Sequence, residues 1–122
     1  MTRFDVILGK NVVKKEKNKL KLILEEDEDL LKSIEQGMKE NNIKSAEVTS
    51  INGFLKKGLI SSKEEGKKNI SEIEIIKANG KFKFGGEDLW GKLEIFSGGK
   101  KPLSGQLLIG IATEGLEIIM EY

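Results

Sequence analysis

Neither cysteine nor histidine occurs anywhere in the 122 residues. Those absences remove disulfides, thiolate nucleophiles, imidazole general bases and zinc-finger ligand sets together. A tight transition-metal site depends on imidazole or thiolate, so no metal and no other cofactor is expected. Arginine is nearly missing as well: Arg3 is the only one, and every other basic residue is lysine. Bidentate arginine is the commonest reader of guanine edges, so base-specific DNA recognition is disfavoured from the start. Proline occurs once, at Pro102. No apolar run reaches the roughly 18–20 residues of a membrane span, and Met1–Leu8 lacks the long apolar core of a secretory signal. A cytoplasmic protein with no membrane partner is the expectation.

What is present describes a small globular chain. Hydrophobic residues make up 38% and charged residues 34%, enough for one real core in a single domain spanning 1–122. The net charge is +1, from 21 basic and 20 acidic residues, so no overall field gathers polyanions.

The strongest pattern runs from Ile70 to Leu108. Ile73, Ile75 and Ile76 among Glu72, Glu74 and Lys77 read as a half-buried strand. Asn79-Gly80 follows, and both residues tolerate the positive φ of a type I′ hairpin turn, so a turn is predicted there. Lys81-Phe82-Lys83-Phe84 alternates strictly, with both aromatics on one face and both lysines on the other. Gly85-Gly86 breaks that strand, Leu89 to Phe96 resumes an extended pattern, and Ser97-Gly98-Gly99 ends it. Pro102 lies in the following connection, where its missing N–H costs no ladder bond. Leu107 to Ile111 and Leu116 to Met120 read as two closing strands, or as one strand bulged near Gly115.

Before this stretch, Arg3 to Leu8 alternates weakly and is predicted as an edge strand. Residues 1–19 thus form an amino-terminal edge strand with a basic loop. Lys10, Lys14, Lys15, Lys17, Lys19 and Lys21 could contact phosphates, but lysine also guards sheet edges, and a solvated hairpin or loop is the preferred reading. Leu20 to Leu24 is a strand. The five acids Glu25 to Asp29 lack the alternating ligands and central glycine of a calcium loop. They suit the positive end of a helix starting here, with Asp27 as its cap. Leu30, Leu31, Ile34 and Met38 recur at helical spacing, with Gly37 on the same side. Glu28–Lys32 and Glu35–Lys39 are i,i+4 pairs, each worth a few tenths of a kcal/mol, and Asn41-Asn42 supplies the stop. Ile43 to Leu59 reads as a strand interrupted at Asn52-Gly53, with Ala46, Val48 and Ser50 on one face and Glu47, Thr49 and Ile51 on the other. Ser61 to Asn69 has nothing to bury and is predicted as a mobile loop.

From about Leu20 to Tyr122 the order of these segments resembles the PPC domain, a module shared by plants and prokaryotes. The carrying residues are Leu20–Leu24, Glu28-Asp29-Leu30-Leu31, the step Glu40-Asn41-Asn42-Ile43-Lys44-Ser45-Ala46, and Ser50-Ile51-Asn52-Gly53-Phe54-Leu55. The family block R-F-E-I-L-S-L-S-G is met by Glu72-Ile73-Glu74-Ile75-Ile76-Lys77-Ala78-Asn79-Gly80, with Glu72 in place of the arginine. In plant members that block is linked to partner binding, which makes Ile73, Glu74, Ile75, Ile76 and Gly80 the candidate partner-binding block. Prokaryotic members often carry a His-x-His strand and a later G-G-H that together imply a metal site. The matching regions here, Leu89-Trp90-Gly91-Lys92 and Ser104-Gly105-Gln106-Leu107, hold no histidine. The R-G-R-P hook of plant members is missing too.

The resemblance implies an α+β fold, an antiparallel β-sheet with one main helix packed on it, assembled as a homotrimer. Together with Trp90 and Phe96 on the later strands, Lys92 and Gln106 are candidates for a pocket or interface. The expected function is an oligomeric, non-catalytic interaction or regulatory module whose partners are its own copies and another protein or a small ligand. Carboxylates such as Glu47, Glu94 and Glu114 show no spacing that pairs them for catalysis. The alternative is a DNA-associated protein that binds through the amino-terminal lysines, weakly and without reading sequence, at about 10⁻⁴ to 10⁻⁶ M or weaker.

Overall fold

Residues 3–8, 11–16, 19–99 and 102–122 are described by the structure, a computed structural model, the first two segments as backbone. Along the chain run β1 (Arg3–Leu8), β2 (Asn11–Glu16), β3 (Lys19–Ile23), α1 (Leu30–Glu40), β4 (Ser45–Ser62), β5 (Gly66–Gly85), β6 (Asp88–Ser97), β7 (Leu103–Ala112) and β8 (Glu117–Glu121). The strands form one antiparallel sheet in the order β1-β2-β3-β8-β4-β5-β6-β7, and β7 turns back onto β4. One edge of β4 is shared: Glu47–Asn52 lie against β8, and Leu55–Ser61 against β7. Strands β4, β5, β6 and β7 therefore close into a ring, while β1, β2 and β3 extend the sheet beyond β8.

Alternation sets the buried face. Leu20 and Leu22 of β3, Ile118 and Met120 of β8, and Leu93 and Ile95 of β6 are all buried, with their strand neighbours less so. Leu30, Ile34 and Met38 on α1 are fully buried, each contributing about 1.5–3 kcal/mol. Gly37 lets the helix sit down on β3, since a β-carbon there would stand 2.9 Å from Leu22 Cδ1.

Helix α1 is capped by Asp29, whose carboxylate accepts from the Lys32 N–H at 3.1 Å. Asp27, the cap expected from sequence, instead has φ +69, and its N–H donates to the Ala112 carbonyl. The cap falls two residues later because the acidic run first crosses the end of β7. Ala112 donates back to the Glu28 carbonyl, and Asp29 bridges Ile111. Glu28 consequently lies outside the helix, its carboxylate accepting from the Glu25 N–H, whereas Glu35 and Lys39 meet at 3.6 Å. The stop at Asn41-Asn42 is as expected: Asn42 is left-handed (φ +54), and Ile43 N–H reaches the Met38 carbonyl at 2.9 Å, closing the helix in a Schellman arrangement.

Three further expectations are corrected. Asn79-Gly80 is not a turn; it lies within the 20-residue β5, where Gly80 faces Leu93. A β-carbon at Gly80 would come 2.5 Å from the Lys92 carbonyl oxygen, so glycine serves close strand approach. Ser61 to Asn69 is not a loop. Ser61 pairs with Lys67 and Leu59 with Asn69, the reversal being confined to Lys63–Glu65. Ile51 is buried along with Ala46 and Val48; the β4–β8 register shifts between Val48 and Ser50, turning Ile51 inward. The carboxyl-terminal segment forms two strands, β7 and β8, joined at Thr113–Leu116.

Candidate binding faces

The outer face of β5 and β6 is assembled from directly opposed pairs. Lys83 faces Trp90, Lys81 faces Lys92, Asn79 faces Glu94, and Lys77 faces Phe96. Their strand neighbours Ala78, Phe82, Leu93 and Ile95 are buried behind them. Trp90 is 67% exposed and Phe96 41%. The indole of Trp90 lies over Gly85, whose β-carbon would meet Nε1 at 3.0 Å. Among the described residues, none of these lysines takes part in an ion pair.

Lys92, Phe96 and Gln106 share an open cleft of about 650 Å³ with Lys77, Asn79, Glu94, Ser104, the end of β4 at Ser61 and Ser62, and the Lys63–Glu65 reversal. Pairing of Glu94 with Gln106, and of Gln106 with Ser61, brings the cleft's polar row together from three strands. Lys92 and Gln106 also line a smaller hollow of about 280 Å³ between α1, β6 and β7. Trp90 lies outside both.

The candidate partner-binding block is split by strand alternation. Ile75 is buried, Ile73 is half-buried against the core, and Gly80 faces Leu93. Only Glu74 and Ile76 present side chains outward, Ile76 at 53% exposure. Beside them Phe54, paired with Glu74 from β4, is 50% exposed; sequence periodicity gave no reason to single it out. The pairing of β5 with β6 begins only at Ile75, so among the described residues Gly66–Ile73 are paired on the β4 side alone.

Of the amino-terminal lysines, Lys10 and Lys17 lie outside the described residues, and Lys14 and Lys15 are on β2. Lys19 is exposed, while Lys21 is engaged with Glu117 at 3.0 Å. The acidic run meets a cation of the protein itself: Lys56 Nζ lies 2.9 Å from Asp27 Oδ1. That hydrogen bond, with the attraction of Asp27 and then Glu26, holds the Lys56 ammonium above the ordinary lysine value. Glu47 on β4 is opposed to Glu121 and Lys81, Glu94 lies in the larger cleft, and Glu114 is in the β7–β8 turn.

The model of the Plants and Prokaryotes Conserved (PCC) domain matches residues 13–121. Among solved structures, a candidate DNA-binding protein from Bacteroides thetaiotaomicron has a TM-score of 0.80 at 23% identity, over 93% of this chain and 84% of its own. A metal-containing protein from Archaeoglobus fulgidus has a TM-score of 0.70 at 20% identity, over 99% and 84%. A plant- and prokaryote-conserved protein from Pyrococcus horikoshii gives 0.69 at 18%, over 95% and 84%. No curated protein matches the sequence. At these identities the likeness establishes the fold. The chain holds no imidazole or thiolate from which a tight transition-metal site is built. Among the described residues no helix is long and apolar enough to cross a membrane.

Proposed function

This chain belongs to the Plants and Prokaryotes Conserved domain family, and on that premise we propose that it acts as an oligomeric, non-catalytic interaction or regulatory module of the cytoplasm. The observation that carries the reading is the open edge of β5. Among the described residues, Gly66–Ile73 have no strand partner on the side away from β4, and the apolar side chains of Phe54 and Ile76 stand exposed at the end of that edge. A long, unpaired strand edge beside apolar surface is a template for another chain. The homotrimer implied by the family supplies that chain from a second copy. Assembly leaves the β6–β7 cleft available to a small ligand or a protein.

Light scattering at micromolar concentration tests this. A mass three times that of the 13.6 kDa chain is expected, and Phe54→Lys combined with Ile76→Lys should lower it to that of one chain. A monomeric mass for the unaltered protein refutes the proposal.

The second reading, non-specific contact with DNA through the amino-terminal lysines, is favoured by the description of the Bacteroides structure as a candidate DNA-binding protein. The engagement of Lys21 by Glu117 removes one of those cations. Charge reversal at Lys14, Lys15 and Lys17 should abolish such binding at low salt; retention of binding refutes it.

A further inference from the structure

We propose that the outer face of β5 and β6 is a platform for single-stranded nucleic acid. It is distinct from the amino-terminal lysines and independent of the β5 edge. Lys77, Lys81 and Lys83 run along β5, while Trp90, Lys92 and Phe96 run along β6 directly opposite. Each track covers six residue steps, about 20 Å of extended chain.

Two features of this face are unfavourable for the isolated sheet. Lys81 and Lys92 are like charges directly opposed across strands, an arrangement that destabilises a pair. Two large aromatics remain exposed to water. The face carries one acid between its lysines, Glu94; at its ends and border stand Asp88, two residues before Trp90 on β6, and Glu47, opposite Lys81 from β4. The four lysines are free of ion pairs among the described residues. An occupant that is both anionic and rich in planar rings resolves both features at once.

Single-stranded nucleic acid has that chemistry. Its phosphates answer the lysines, and its unpaired bases stack on Trp90 and Phe96, an interaction that tolerates any sequence. A duplex keeps its bases inside the stack, where these rings cannot reach them, and this face holds no arginine to read base edges. A second copy offering the same face would set lysine against lysine.

Trp90 is the only tryptophan, so its fluorescence reports the contact without a label. Titration of the whole protein with an oligothymidylate about 16 nucleotides long, at low salt, should quench it. Three or four phosphate contacts predict about 20- to 50-fold weaker binding between about 50 and 200 mM salt. Anisotropy of a labelled oligothymidylate should show Trp90→Ala binding about 10-fold more weakly. Lys81→Glu with Lys83→Glu should abolish binding while leaving the mass by light scattering unchanged, which separates this proposal from the self-association above. Lys14→Glu with Lys15→Glu should change nothing, which separates it from binding through the amino-terminal lysines. Absence of quenching at low salt, equal affinity for a duplex, or full binding by the Lys81→Glu, Lys83→Glu variant overturns the proposal.

Discussion

The hydroxyl of Ser97 is bonded to both backbone polar groups of Leu103, donating to its carbonyl at 3.1 Å and accepting from its N–H at 3.2 Å. This buried side chain pins the start of β7 to the end of β6, across a connection that contains the only proline. Ser97→Ala leaves two partly buried groups without that partner. It should cost about 1–3 kcal/mol by urea denaturation. A change within a few tenths of a kcal/mol contradicts the assignment.

Gly80 makes a second prediction. With 2.5 Å between its virtual β-carbon and the Lys92 carbonyl, Gly80→Ala forces β5 and β6 apart, at about 1–3 kcal/mol. Gly86, at φ +68 with open space around it, should accept Asn at under about 1 kcal/mol, because asparagine tolerates the left-handed region. Equal destabilisation by the two substitutions contradicts the assignment of Gly80 to close strand approach.

The shift of the helix cap is open to the same measurement. Asp29→Ala removes the acceptor of the Lys32 N–H and should cost about 1 kcal/mol. Asp27→Asn suits the left-handed backbone there and loses only an exposed ion pair, so it should cost less. The reverse ranking would restore Asp27 as the cap.

Lys56 carries a pH signature. Its folded-state value is raised, first by the hydrogen bond to Asp27, so the proton is held more tightly in the folded chain. The contribution is full below the unfolded lysine value of about 10.4 and disappears as pH rises through the higher folded one. The stability difference between the protein and Lys56→Met should stay level from neutral pH to about 10 and close above it, and salt should narrow it. A difference that persists through strong alkali rules out the ion pair as its source.

These residues also show what the sequence could convey. Helix α1 was legible because Leu30, Ile34 and Met38 repeat at its own period and Asn41-Asn42 ends it locally. The full length of β5 was not, since Asn79-Gly80 satisfies every local requirement of a turn. Pairing with Val48 of β4 on one side and Leu93 of β6 on the other makes Gly80 a strand residue, and both partners are remote in sequence. The arms Ser61–Asn69 carry no strand signal in the sequence because much of their length is exposed, leaving little burial period to detect. The lysine face was half visible: Lys81-Phe82-Lys83-Phe84 placed its lysines together, but the supposed turn cut off Lys77 and Asn79. The outward setting of Trp90 and Phe54 depends on register, which periodicity alone does not specify.

Hydrogen exchange of the β5 amides bears most directly on the claim that this domain works by assembling through its open edge. Measured from dilute protein upward, the edge-facing amides within Gly66–Ile73 should exchange more slowly as concentration rises, in step with the mass by light scattering, while amides of α1 keep a constant rate. Exchange within Gly66–Ile73 that is independent of concentration, across a range in which the mass itself changes, would place the interface elsewhere and contradict the account.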